Sequence, residues 1–208
     1  MKEIVILADG EFPEHKLPLG LLRESKCVVC CDGAAASLDK AGMTPFAIVG
    51  DLDSLDDKLR QKYAHILIFD SCQETNDLTK AFRYSLSFDP KSITILGATG
   101  KREDHTLGNI YLLCDYAAET KSELTMCTNH GIFRVIQKSG IYDSCAGMQV
   151  SFFSMEVEQR VRSKGLKYPL DDVIFDKWWK ATLNECKGDH FELELSLDAP
   201  LIMYSSHK

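Results

Sequence analysis

Five short apolar runs mark the first half of the chain, at residues 4–8, 27–31, 46–49, 66–69 and 93–96. Each is continuous rather than alternating, and a segment long enough for a helix separates it from the next. A strand with one wet face alternates apolar and polar residues, whereas a strand buried on both faces does not. The pattern therefore predicts a parallel sheet with helices on both faces. A sixth run at 124–127 can close it. From about Asn129 onward the pattern shortens. Gly131, Gly140, Gly147, Gly165 and Gly188 punctuate strand-like pieces such as 133–137, 149–154, 181–184 and 191–195. Those intervals suit hairpins and predict a sandwich or partly closed barrel. The expected organisation is an N-terminal parallel α/β sheet domain over residues 1–128, followed by a C-terminal antiparallel β-sandwich domain over residues 129–208.

Charge narrows the partners. The formal net charge of the 208 residues is -7, and nucleic-acid backbones demand clustered Lys and Arg. No nucleic-acid partner is expected. A polyphosphate ligand would need a divalent cation and a few placed basic residues. The apolar start at residues 4–8 is too short for a signal peptide, and Asp9 interrupts it. No apolar run approaches the ~20 residues of a membrane span. A cytoplasmic protein without a membrane partner is expected, and its eight cysteines should be mostly reduced. Cys27 and Cys30 have C-x-x-C spacing but lie in an apolar run without a second ligand pair, which favours buried thiols over zinc.

In parallel α/β sheets, ligands sit beyond the carboxyl ends of the strands. The residues just after each apolar run are therefore informative. Asp9-Gly10-Glu11 comes after the first, Asp32-Gly33-Ala34 after the second and Gly50-Asp51-Leu52-Asp53-Ser54 after the third. Asp70 comes after the fourth and leads to Gln73-Glu74-Thr75-Asn76-Asp77-Leu78-Thr79-Lys80, and Gly97-Ala98-Thr99-Gly100-Lys101-Arg102-Glu103-Asp104-His105 comes after the fifth. One such Asp is commonly a helix cap. Several on one edge repel one another, and a bound Mg²⁺ relieves that repulsion while taking phosphate oxygens as further ligands.

Asp51 and Asp53, two apart in an extended turn, should point the same way, with Gly50 admitting close backbone approach. Asp77 and Lys80 share a helix face as a metal ligand and a phosphate contact, or as a surface ion pair of little consequence. The loop from Gly97 ends in Arg102, Asp104 and His105 at a helix start, where anions bind, although a simple cap would look alike. There is no G-x-x-x-x-G-K-[ST] sequence, which excludes a P-loop enzyme. Tyr168 and the Trp178-Trp179 pair offer faces for a flat or cationic ring, or for packing. These residues alone leave three readings open: a Mg²⁺-dependent phosphoryl-transfer enzyme, a metal-dependent nucleotide hydrolase, and a binding module without turnover.

The order and spacing of four motifs, Asp32-Gly33-Ala34, Gly50-Asp51-Leu52-Asp53-Ser54, Gln73-Glu74-x-Asn76-Asp77-x-x-Lys80 and Gly97-Ala98-Thr99-Gly100-x-Arg102-x-Asp104-His105-x-Leu107-x-Asn109, resembles thiamine pyrophosphokinases. Gly165-Leu166-Lys167-Tyr168-Pro169-Leu170, Thr182-Leu183-Asn184-Glu185 and Pro200-Leu201 extend the resemblance over nearly the whole chain. It implies a homodimer with sites between subunits that moves the β,γ-diphosphate of ATP onto the thiamine hydroxyl and releases AMP. It implies Mg²⁺ on Asp51, Asp53 and Asp77. It implies a nucleotide-binding set of Asp32, Gln73, Lys80, Arg102 and His105. Asp104 and Arg102 would join the three metal carboxylates as the catalytic set. Tyr168 would stack on the thiamine pyrimidine, where the family often has Trp, and Asn184 would help hold thiamine. Glu74 and Asn76 stand where the family usually has Asp and Thr. Both keep oxygen atoms, so altered geometry rather than lost function is expected.

Overall fold

The computed structural model describes residues 3–171 and 173–207. They fall into two units, divided after Asn129.

In the first unit, chain order runs β1 (Glu3–Leu7), α1 (Lys16–Glu24), β2 (Val28–Cys31), α2 (Ala34–Lys40), β3 (Ala47–Gly50) and α3 (Asp57–Lys62). A single 3-10 turn then precedes β4 (Leu67–Phe69), α4 (Asp77–Leu86), β5 (Ser92–Leu96), α5 (Glu103–Glu119) and β6 (Glu123–Cys127). All pairings are parallel, in the order β6-β5-β1-β2-β3-β4. The six apolar runs are these strands, displaced by a residue or so at their ends. Ile4, Ile6, Val29, Cys30, Ile48, Ile93 and Ile95 are fully buried, as continuous apolar strands require. The chain winds outward from β1 to β4, then restarts on the other flank of β1 with β5. The carboxyl ends of β1 and β5 therefore form the topological switch point, the preferred ligand crevice of such sheets.

Three hydrogen bonds fix the helices that reach that crevice. Asn76 caps α4, its side chain accepting from the Thr79 N–H at 2.9 Å. Its amide also donates to Asn109 of α5 at 3.2 Å, and Asn109 donates to the Ala98 carbonyl at 2.8 Å. Lower down, the rings of Phe82 and Tyr116 stack with centroids 4.1 Å apart. Asn76 thus caps α4 through its side-chain oxygen, while its side-chain amide ties α4 to α5.

The second unit comprises β7 (Gly131–Ile136), β8 (Gly140–Asp143), β9 (Gln149–Ser154), β10 (Val161–Lys164), β11 (Ala181–Glu185), β12 (His190–Leu195) and β13 (Leu201–Ser206). Four of them pair in the order β11-β9-β13-β7, and three form a separate sheet in the order β10-β12-β8. Every pairing within the two sheets is antiparallel. Val150, Phe152, Leu201 and Met203 from one sheet share a buried core with Val161, Phe191 and Leu193 from the other. That makes the unit a sandwich rather than a barrel. The register of β11 on β9 shifts between Ala181 and Asn184, and Leu183 adopts a left-handed φ of 60° there.

Candidate active site

The carboxyl end of β3 is the centre of the arrangement. Asp51 and Asp53 do not converge through an extended turn, as the spacing alone suggested. Leu52, between them, adopts a left-handed φ of 64°, a conformation that costs a branched residue roughly 1–2 kcal/mol. Three anchors hold it. The Leu52 side chain is buried. Arg60 of α3 donates to the Leu52 carbonyl, and its Nε donates to the Leu55 carbonyl at 3.0 Å. The Asp53 N–H turns back onto Asp51 Oδ1 at 3.3 Å.

Beside this turn, Asp32 comes directly after β2 and is only 1% exposed. Its Oδ2 accepts from the Ser54 N–H at 3.3 Å, while its Oδ1 has no hydrogen-bond partner. Ligand oxygens of Asp32, Asp51 and Asp53 lie within 4.8 Å of one another. Gly50 brings a fourth carboxylate close. A Cβ there would stand 2.8 Å from Asp32 Cβ and 3.2 Å from Asp77 Oδ1, so only glycine admits both. A buried oxygen without a partner, amid acidic groups, is what a hard cation satisfies. The donor set, all carboxylate oxygen, fits Mg²⁺.

Charges here shift in a consistent way. Burial raises the Asp32 pKa; the Ser54 N–H pulls it down, and the charges of Asp77, Asp53 and Asp51 add to the rise. The Asp53 N–H lowers that of Asp51, and a hydrogen bond from Gln73 helps. Lys80 is only 5% exposed and its Nζ lies 3.0 Å from Asp77 Oδ1. Burial opposes its charge, but the Asp77 hydrogen bond and the charges of Asp77, Asp51 and Asp70 together outweigh it, and the pKa rises.

A cavity of about 420 Å³ opens over these groups. Asp51, Gln73, Asp77, Lys80, Arg102 and His105 all line it. Arg102 binds Asp104 through two hydrogen bonds of 3.1 and 2.6 Å, which hold the Asp104 pKa down to about 2. Asp9, Lys101 and Asn109 also line the cavity, and sequence reasoning assigns none of the three a role. Asp9 and Lys101 lie 92 positions apart and meet only because β1 and β5 are neighbours. The Gly-Asp strand ends hinted at Asp9, but the strand order was needed to pair it. Cys72, next to Gln73, is exposed, and its N–H donates to Asp70 Oδ1 at 2.9 Å.

In the second unit, Tyr168 presents its ring to solvent at 58% exposure, with Lys167 Nζ 5.8 Å from the ring centroid. Asn184 is 2% exposed and faces inward. Its Oδ1 accepts from the Tyr168 N–H at 3.1 Å and the Glu185 N–H at 2.9 Å, and its Nδ2 donates to the Tyr168 carbonyl at 2.7 Å. Its amide is thus committed to the backbone beneath Tyr168. Trp178 and Trp179 are both exposed, and Trp178 packs on Phe153 with centroids 5.3 Å apart.

Parallel strands that deliver carboxylates and cations to one switch-point crevice define a class, the α/β proteins with a polar ligand site at their strand ends. Comparison with known proteins gives the family. The sequence profile of the thiamin pyrophosphokinase catalytic domain matches residues 19–142, and that of the thiamin pyrophosphokinase substrate-binding domain matches residues 131–202. The chain belongs to the thiamin pyrophosphokinase family. It is 35% identical over 119 residues to a thiamine pyrophosphokinase of Bacillus subtilis, a stretch covering 54% of this chain and 55% of that protein. A crystal structure of thiamine pyrophosphokinase from Bacillus subtilis superposes with a TM-score of 0.81 at 24% identity over 100% of both chains. One from Geobacillus thermodenitrificans gives 0.77 at 25% identity, covering 99% of this chain and 98% of that one. One from Candida albicans gives 0.82 at 18% identity, covering 99% and 90%, a likeness of fold.

Proposed function

We propose that this protein is a thiamine diphosphokinase, transferring the β,γ-diphosphate of ATP to the hydroxyl of thiamine with release of AMP. Family membership supports this reading. The observation that carries it is the gathering of Asp32, Asp51 and Asp53 around an unpartnered buried oxygen, with Asp77 pressed against Gly50 beside them. Asp51, Asp53 and Asp77 would hold Mg²⁺, with Asp32 alongside. When bound, the ion neutralises charge on the phosphate oxygens.

The remaining work falls to the chain. Lys80 and Arg102 grip phosphate oxygens, Gln73 orients Asp51 and the phosphates, and His105 closes the rim. The thiamine oxygen attacks the β-phosphorus in line, the bond from that phosphorus to the α,β-bridging oxygen breaks, and AMP leaves with that oxygen. The hydroxyl proton passes to water or to a phosphate oxygen. Asp104, with its pKa near 2 in the Arg102 pair, is too weak a base to take it efficiently. We assign Asp104 to orienting Arg102. Loose phosphoryl-transfer transition states need positioning and charge stabilisation more than a strong base. Tyr168 stacks on the pyrimidine of thiamine. Asn184 holds the Tyr168 backbone in place rather than touching thiamine itself. The working form is a homodimer, and its setting is the cytoplasm, where eight free cysteines would stay reduced. Among the described residues, no helix is long and apolar enough to cross a membrane.

The test is AMP release from ATP and Mg²⁺ with and without thiamine, measured alongside thiamine diphosphate. Equal amounts of AMP and thiamine diphosphate, formed only with thiamine, are expected. AMP or ADP without thiamine would point to a hydrolase, and binding without turnover to a sensing module.

A further inference from the structure

The cavity holds one basic residue with no role in the mechanism above. Lys101 lines it, and its Nζ lies 2.9 Å from Asp9 Oδ1, with both side chains about half exposed, at 54% and 50%. The two come from loops on either side of the switch point, Asp9 after β1 and Lys101 after β5. Those loops are locked together. The Gly10 N–H donates to the Gly97 carbonyl at 2.5 Å, and the Glu11 N–H donates to the Thr99 carbonyl at 2.7 Å. A Cβ on Gly10 would stand 2.3 Å from the Gly97 carbonyl oxygen, and one on Gly100 would stand 2.5 Å from Glu11 Cβ. The Lys101 backbone is therefore held at the cavity rim, directly before Arg102.

We propose that Lys101 is a phosphate-binding residue of this site and that Asp9 is its resting counter-ion, displaced when a polyphosphate enters. The inference rests on the diphosphokinase reading for the identity of that polyphosphate. An exposed ammonium–carboxylate pair is weakly held. A phosphate chain carries more charge and more acceptor oxygens than one carboxylate, so it wins the competition. Lysine is a point charge on a flexible stem, able to swing from one acceptor to the other without backbone movement. The other basic side chains of the lining are also paired with carboxylates, Lys80 with Asp77 and Arg102 with Asp104. The pair also spans the strand ends at which phosphates collect in parallel sheets.

The experiment is isothermal titration calorimetry with Mg²⁺ and α,β-methylene ATP, whose α,β-bridge cannot be cleaved, in the absence of thiamine. The full chain is compared with Lys101→Met, Lys101→Gln, Lys101→Arg, Asp9→Asn and Asp9→Asn combined with Lys101→Met. Two neutral variants are used so that misfolding of one leaves the other informative. Loss of the charge should weaken binding about tenfold, and Lys101→Arg should restore most of it. Asp9→Asn removes the competitor and should tighten binding roughly threefold, but have no effect in the Lys101→Met background. Affinity within twofold of the parent for both neutral Lys101 variants would overturn the proposal. So would an Asp9→Asn change that is the same in both backgrounds, or a weakening by Asp9→Asn. Binding is read without turnover. A parent that binds the analogue but makes no thiamine diphosphate sinks the diphosphokinase reading and leaves Lys101 standing, and an active parent with indifferent Lys101 variants does the reverse.

Discussion

Asp32 is the residue with most at stake. Its pKa is raised by burial and by the carboxylates around it. A group whose folded pKa exceeds its unfolded value binds its proton more tightly in the folded chain. The stability it contributes is full below the unfolded value and is lost as pH rises through the folded one. At pH 7 the ionised Asp32 therefore destabilises the metal-free protein. Asp32→Asn should melt about 2 °C or more above the parent in EDTA at pH 7, and the gap should close below about pH 4. Mg²⁺ should stabilise the parent more than the variant. A variant that melts lower than the parent in EDTA would contradict this role for Asp32. Asp51 differs, because the Asp53 N–H already favours its charge. Asp51→Asn should lower the melting temperature slightly at pH 7, opposite in sign to Asp32→Asn, while turnover falls by about a hundredfold or more. Near-normal kcat in that variant would remove Asp51 from the proposed metal set.

Two local devices at the element scale, one in each unit, position candidate site residues, and neither contributes a ligand. Arg60, on α3, holds the left-handed turn at Leu52 through two backbone carbonyls. Arg60→Ala should weaken Mn²⁺ binding, measured by electron paramagnetic resonance, about 10- to 100-fold, as loss of a supporting contact does at metal sites. Unchanged affinity would mean that burial of Leu52 suffices. In the second unit, Asn184→Ala would leave the Tyr168 N–H and carbonyl without their partner, a cost of about 1–3 kcal/mol. It should raise the KM for thiamine and leave that for ATP in place. Both KM values rising together would indicate general loosening. The strands and the motifs were legible in the sequence because a doubly buried strand writes a continuous apolar run and its carboxyl end writes Gly and Asp. Arg60 was not legible, since a helical Arg bonding to carbonyls five and eight residues earlier leaves no pattern. The inward aim of Asn184 was hidden as well, because it depends on the irregular pairing of β11 with β9.

For the whole molecule, the net charge of -7 bears on how the proposed nucleotide substrate would arrive. Six carboxylates, Asp9, Asp32, Asp51, Asp53, Asp77 and Asp104, gather at strand ends, while the lining cations Lys80, Lys101 and Arg102 are each paired with one of them. Free ATP meets repulsion there. Thermal shift should therefore register ATP only with Mg²⁺ present, and EDTA should abolish both the shift and AMP formation. An equal shift from ATP in EDTA would show that the cations alone suffice. The pairing of Asp9 with Lys101 could not be anticipated from the chain, because it depends on which strands became neighbours.

The distribution of thiols has a practical consequence. Burial pushes the Cys30 thiol up to about 12, lifts the Cys31 thiol well above its usual value, and raises Cys114 to about 11. Cys72 stands exposed beside Gln73. Only the thiolate reacts with a maleimide, so a dye added at neutral pH should attach to Cys72 first. The native chain thus carries its own attachment point for a fluorophore beside Gln73 at the cavity, and changes at that loop could be followed without engineering a cysteine.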